Sequence, residues 1–215
     1  VLDELTSSLA KEVPQLKVLI GIAEPIPDLQ LPQLFNSLVL IGTNKWEVVA
    51  RKQLLPTYDV FDEKRYFRPA AASSTLELAL NGKQWCIGIT ICEDLWVEEK
   101  LLMHRLAGPD PISQFSSKKI DLLLNLSASP FSQNKETIRH QLAAKAAQKL
   151  GCSVVYLNQV GGNDELVFDG ASFIIHPNGQ ISLKMPSCQE KLAFWNSKTT
   201  NTFQSLKKTP KNEQL

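Results

Sequence analysis

Apolar residues along this chain follow two rhythms, and the switches between them outline its elements. Residues 2–13 carry Leu2, Leu5, Leu9 and Val13 at helical spacing, which predicts the end of an amphipathic helix. "KVLIGIAEPI" (17–26) is instead a continuous apolar run with β-branched residues and reads as a buried strand. "NSLVLIG" and "KWEVVARKQ" flank Thr43-Asn44 and predict a hairpin turning there. A second hairpin is expected in "TLELALNGKQWCIGITIC", with Asn81-Gly82 as a type I′ turn, and a third in "ASFIIHPNGQISLKM" on Asn178-Gly179. Residues 54–74 show little periodicity but hold four aromatics, the mark of a long ordered loop. A helix over 97–107 and a strand in "IDLLLNLSASP" come next. The clearest helix covers 135–150, where Ile138, Leu142, Ala146 and Leu150 share a face and Gly151 suits the stop. "CSVVYLNQV" reads as a strand, and beyond about 188 the chain turns polar, as a tail or linker does.

Strands arriving in hairpins, interrupted by helices that follow buried strands, predict a layered α/β or α+β domain. The runs "DLLLNL" and "SVVYLN" favour sheets covered on both faces. With 215 residues the chain has room for one large core or two small ones. Composition narrows the function classes: 43% hydrophobic and 21% charged residues with a formal net charge of +1 give no reason to expect nucleic acid or an anionic membrane as partner. No apolar run approaches the roughly 20 residues of a spanning helix. The start, "VLDELTSSLAKEV", has neither an initiator methionine nor the basic-then-apolar order of a secretion signal, which suggests processing or an excerpt from a longer chain. The four cysteines show no C-x-x-C spacing and the three histidines are scattered, so no metal site and no disulfide framework is expected. Reduced thiols in the cytoplasm fit that usage.

"GITICEDLW" (88–96) is the stretch that asks for chemistry. A run of strand formers ends at Cys92, followed at once by Glu93 and Asp94. Adjacent carboxylates oppose a thiolate, so a reactive Cys92 needs a cation from elsewhere. Three apolar strands end in polar clusters, "ARKQ" (50–53), "ICEDLW" (91–96) and "NLSASPF" (125–131), and converging strand ends commonly build active sites in such folds. Lys52 is then the candidate cation, able to lower the thiol pKa and to hold an oxyanion. Each residue alone has a plainer reading: Cys92 as core, Lys52 as a solvated strand end.

Together, "RKQLLPTYDVFDEKRYF", "ITICEDLW", "NLSASPF" and "YLNQVGGNDELVFDG" closely resemble the glutaminase domain of glutamine-dependent NAD synthetases, within the nitrilase (carbon–nitrogen hydrolase) superfamily. The resemblance covers about residues 15–186, in order. It implies a four-layer α-β-β-α sandwich, lacking its N-terminal strand and helix, over residues 1–187, with 188–215 as tail or linker. It implies Cys92 as nucleophile toward the glutamine side-chain amide, Lys52 with the backbone N–H of Glu93 as oxyanion stabiliser, and Glu63 positioning the lysine. It places Tyr58, Glu93, Trp96 and Ser129 around the substrate, and Lys135 opposite its carboxylate. "GGNDELVFDG" is expected as a loop near the site mouth. The family's general-base glutamate sits on an earlier strand, and nothing in this sequence matches it. The ATP-dependent synthetase domain, where ATP and Mg would bind, is unmatched too, so no cofactor is expected in this chain, which reads as a fragment with little activity alone. The implied partners are glutamine, that synthetase domain and further copies of the chain. A stand-alone amidase or carbamoylase and an inactive assembly module are the other readings. The NAD synthetase motifs weigh against the first and the retained Cys92, Lys52 and Glu63 against the second.

Overall fold

The computed structural model describes residues 1–27, 34–80, 82–102, 106–197 and the backbone of 204–205. Helix α1 (Leu2–Glu12) leads into a three-stranded antiparallel sheet of β1 (Val18–Pro25), β2 (Leu34–Gly42) and β3 (Lys45–Arg51), in that order. The expected hairpin turns at Thr43 and Asn44, closed by the Gly42–Lys45 pair, and Asn44 takes the left-handed conformation a tight turn requires (φ 61°). A single helical turn, α2 (Glu63–Tyr66), interrupts the long loop that follows. β4 (Ser74–Leu80) and β5 (Lys83–Ile91) form the second hairpin, in which Gly82 has φ 75°; Asn81, the other half of the expected type I′ turn, lies outside the described residues. These two join β6 (Leu122–Ser127), β7 (Ser153–Asn158), β10 (Phe173–Ile175) and β11 (Ile181–Lys184) in a six-stranded sheet ordered β11-β10-β7-β6-β5-β4. Within it β5, β6 and β7 run parallel, and α3 (Lys135–Leu150) crosses from β6 to β7.

Two apolar layers hold these parts together. Leu38, Leu40 and Ala50 of the small sheet meet Leu76, Ile87, Ile89 and Ile91 of the large one. On the other side of the large sheet, Leu123, Val154, Tyr156, Phe173 and Ile175 bury against Leu142, Ala143, Ala146 and Ala147 of α3. With α1 packed on β2 and β3, the order of layers is α-β-β-α. β6 shows why its sequence is apolar throughout: Leu123 faces the helix while Leu122, Leu124 and Leu126 face the other sheet. Fully burying one such side chain is worth about 1.5–3 kcal/mol.

Four expectations are corrected. "KVLIGIAEPI" is not a buried strand: β1 is an edge strand, and none of its residues is fully buried. "SVVYLN" is covered on one face only, since Val154 and Tyr156 pack under α3 while Leu157 is 53% exposed. No helix forms in the described part of 97–107, residues 97–102 and 106–107; the first of these runs irregularly, with a turn closed by Leu101 N–H donating to Glu98 O (3.0 Å). Leading into this stretch, Leu95, Trp96 and Val97 pack on the same core as α3. "GGNDELVFDG" is not an open loop but a hairpin of β8 (Val160–Asn163) and β9 (Leu166–Asp169), with Asp164 at φ 51° in its turn. The last described segment pairs β12 (Ala193–Phe194) with β13 (Gln204–Ser205), and Trp195 donates to Ser182 Oγ (3.2 Å).

Candidate active site

The ends of β3, β5, β6 and β7 open on one cavity of about 430 Å³, a size typical of small-molecule sites. Cys92, Lys52, Glu63, Tyr58, Glu93, Trp96, Ser129 and Lys135 all line it, so the structure brings together every site residue expected from sequence. Gly21, Asn36, Leu126, Leu157 and Asn158 complete parts of the wall.

Cys92 is the first residue of a 3-10 turn (Cys92–Leu95) that starts where β5 stops. Its φ of 47° puts a non-glycine residue in the left-handed region, a conformation kept only where the surroundings enforce it. Those surroundings are a buried polar ladder: Asn125 donates to the Cys92 carbonyl (3.3 Å) and to Thr90 Oγ1 (3.0 Å), and accepts from Ser127 Oγ (2.6 Å). Burial pushes the Cys92 thiol pKa up, Lys52 pulls against it, and the Glu93 charge adds to the rise.

Lys52 continues from β3 and is 1% exposed. Its ammonium donates to Glu63 Oε1 at 2.6 Å, the arrangement a buried charge needs to persist. Burial, the largest influence, works against the ammonium; the Cys92 and Glu63 charges outweigh it and hold the Lys52 pKa above its ordinary value. Also lining the cavity, the Tyr58 hydroxyl donates to Glu93, 2.9 and 3.0 Å from its two oxygens. Burial raises the pKa of Glu93 and, joined by the Glu93 charge, that of Tyr58. Lys135, at the first turn of α3, stands with its ammonium 5.5 Å from the centre of the Trp96 ring. Burial, followed by the neighbouring Arg139, lowers its pKa.

The residues that build these walls were mostly invisible in the sequence. Arg139 is fully buried and donates through Nη1 to both Asp169 oxygens (2.8 and 2.9 Å), and through Nη2 to the carbonyls of Ser129 (2.8 Å) and Pro130 (3.1 Å). Asn158 accepts from Ser129 N–H (2.8 Å). Asp169 closes β9, so one buried guanidinium ties the hairpin to the Ser129 wall. Helical position gave no warning, because Arg139 falls beside the apolar face of α3. Among the described residues no cluster of His, Cys, Asp and Glu has the makings of a metal site.

A cysteine on a strained elbow, with a buried ammonium and its partner glutamate on the same cavity, is an arrangement that can support nucleophilic thiol chemistry. A sequence profile described as carbon-nitrogen hydrolase matches residues 1–194. The chain belongs to that family. Among carbon–nitrogen hydrolases with curated descriptions it is 39% identical over 195 residues to the glutamine-dependent NAD(+) synthetase of Synechocystis sp., covering 89% of this chain and 34% of the relative. It is 36% identical over 160 residues to that of Acinetobacter baylyi, covering 74% and 27%. The chain thus spans about a third or less of the length of these relatives. A solved glutamine-dependent NAD+ synthetase from Acinetobacter baumannii superposes with a TM-score of 0.73 at 31% identity, over 96% of this chain and 36% of the other. The amidase of Nesterenkonia sp. AN1, at 19% identity, shares the fold over 86% of this chain and 62% of its own (TM-score 0.60). The four-layer sandwich is therefore a nitrilase-type one, as the motifs implied.

Proposed function

We propose that this chain is the glutaminase part of a glutamine-dependent NAD synthetase, releasing ammonia from glutamine for the amidation of deaminated NAD. The observation that carries the reading is the convergence of Cys92, Lys52 and Glu63 at one cavity in a carbon–nitrogen hydrolase whose relatives bear that name. The Cys92 sulfur, having given up its proton, attacks the carbon of the side-chain amide. The oxygen takes the negative charge, which the Lys52 ammonium and the Glu93 backbone N–H stabilise. Collapse breaks the carbon–nitrogen bond, the nitrogen leaves protonated as ammonia, and a glutamyl thioester stays on Cys92. Water then attacks the thioester carbon and restores the thiol with release of glutamate. Glu93, with Tyr58, holds the substrate α-amino group by a charge-assisted bond, and Lys135 faces its carboxylate. Trp96 and Ser129 shape the remaining wall.

On this reading the thiol proton needs an acceptor beyond the carboxylate oxygens already bound at the cavity. Glu63 and Glu93 are the carboxylates among the described lining residues, and each is already engaged, with Lys52 and Tyr58 respectively. By the same reading ATP and Mg bind the synthetase portion, and the setting is the cytoplasm, where NAD synthesis of this kind would draw on free glutamine. In the full-length protein, Cys92→Ala abolishes NAD formation driven by glutamine and leaves that driven by ammonia nearly intact. Loss of both activities would make Cys92 a structural residue and end the proposal.

A further inference from the structure

Cys92 and Lys52 belong to different sheets, so the distance between them is set by whatever joins the end of β5 to the end of β3. Asp94 makes that join. Its Oδ1 accepts from the backbone N–H of Gln53 (3.0 Å) and of Leu54 (2.8 Å), the two residues after Lys52. Its Oδ2 accepts from the N–H of Ile91 (3.1 Å), the residue before Cys92. The side chain is buried, with 2% exposure. We propose that Asp94 is a positioning residue, a carboxylate lock that fixes the cysteine elbow against the lysine strand.

A packing residue would not need this chemistry. A carboxylate is an acceptor at every lone pair, so one small group satisfies N–H donors arriving from two directions. Each such bond to a charged acceptor is stronger than a neutral one. Lys52 is also the charged group that acts on Asp94, so the lock contributes negative charge to the lysine it positions. Gln53 reinforces the lysine side of the lock: its amide donates to Ser73 Oγ (2.7 Å) and accepts from Gln114 (2.9 Å).

The test rests on the glutaminase reading for one assay only. In the full-length protein Asp94→Asn keeps shape but carries a donor amide, which must face at least one of the three N–H groups. Misplacing reacting groups by about an ångström costs on the order of a hundredfold, so kcat for ammonia release from glutamine falls by about tenfold to a hundredfold while KM stays nearly unchanged. The second readout needs no glutamine: the pH dependence of Cys92 alkylation by iodoacetamide. A lysine no longer held against the sulfur shifts the alkylation midpoint to higher pH. Removing a negative charge without moving the lysine would shift it lower, so the direction separates positioning from simple charge loss. An Asp94→Asn protein with parental kcat and an unmoved or lowered midpoint overturns the proposal. Should that variant not fold, Asp94→Glu, whose carboxylate sits one methylene out of place, must show the same kcat loss and upward midpoint shift; a parental result overturns the lock, as does failure of both variants to fold, which would make Asp94 structural alone. If the parent protein releases no ammonia from glutamine, the glutaminase reading falls and the alkylation comparison still decides the role of Asp94.

Discussion

At the scale of single residues, the site depends on charges kept out of water. Lys52→Gln removes a buried ammonium and strands Glu63, so kcat in the full-length protein is expected to fall by about a hundredfold to a thousandfold, the usual cost of losing an oxyanion donor. Glu93→Ala is expected mainly to raise the glutamine KM; an unchanged KM would remove its substrate-holding role. Asp94 gives a pH signature. Burial raises its pKa from 3.8 to about 6, so the folded state binds this proton more tightly than the unfolded one. Its charged form costs stability at neutral pH, and that penalty fades as pH falls from about 6 toward 4. Activity moves oppositely, because a protonated Asp94 loses an acceptor. A kcat that declines below about pH 6, with no parallel loss of thermal stability from this group, is the expected profile, measured by ammonia release and by melting. The pKa of Glu93 is raised as well, and its titration belongs to KM. The meeting of Cys92, Lys52 and Glu63 at one cavity was legible at this scale because they lie in distinctive strings. Asp94 was read only as a charge opposing the thiolate, since a carboxylate that clamps two strands looks like any other acid until its partners are placed.

Among the elements, turns and helix stops were read correctly where the local chemistry was self-sufficient. Asn44 and Gly179 (φ 80°) supply their hairpins and Gly151 (φ 66°) ends α3 as expected. The reading failed where tertiary contacts decide: Leu95, Trp96 and Val97 anchor on the core at the head of the irregular run that stands where a helix was expected, and the β8–β9 hairpin is held by Arg139 through Asp169. Removing one member of a buried pair leaves the other unpaired, so Arg139→Ala is expected to destabilise by about 3–5 kcal/mol in denaturant unfolding. Gly88 makes a similar point within β5. A Cβ there would lie 2.8 Å from Ile120 Cδ1 and 3.2 Å from Leu123 Cδ1. Gly88→Val should therefore cost about 1–3 kcal/mol through overpacking, read from the denaturation midpoint.

For the whole molecule, the unequal sheets matter most. Three strands face six, and Leu157 on β7 stays half-exposed beside the cavity while β1 remains an edge. Unpaired edges and uncovered apolar faces favour self-association. Residues 1–215 expressed alone are expected to associate in light scattering and to release little ammonia, whereas the full-length protein should be both more soluble and active. Equal glutamine hydrolysis by the two would place the proton acceptor among residues 1–215, with Glu63 the first suspect. This uncovered surface was only partly legible, since "SVVYLN" is as apolar as a strand sheltered on both faces. The parallel pairing of β5 with β6 carries a kinetic consequence. Every residue from Cys92 to Asp121 lies in the connection between them, so the elbow meets its supporting Asn125 only after a long loop has closed. Hairpins form in microseconds, while distant parallel pairings wait on loop-closure entropy. During refolding, bulk secondary structure should therefore return before Cys92 regains its native rate of alkylation, and the corner around Cys92 and Asn125 should be the last part of the chain to mature.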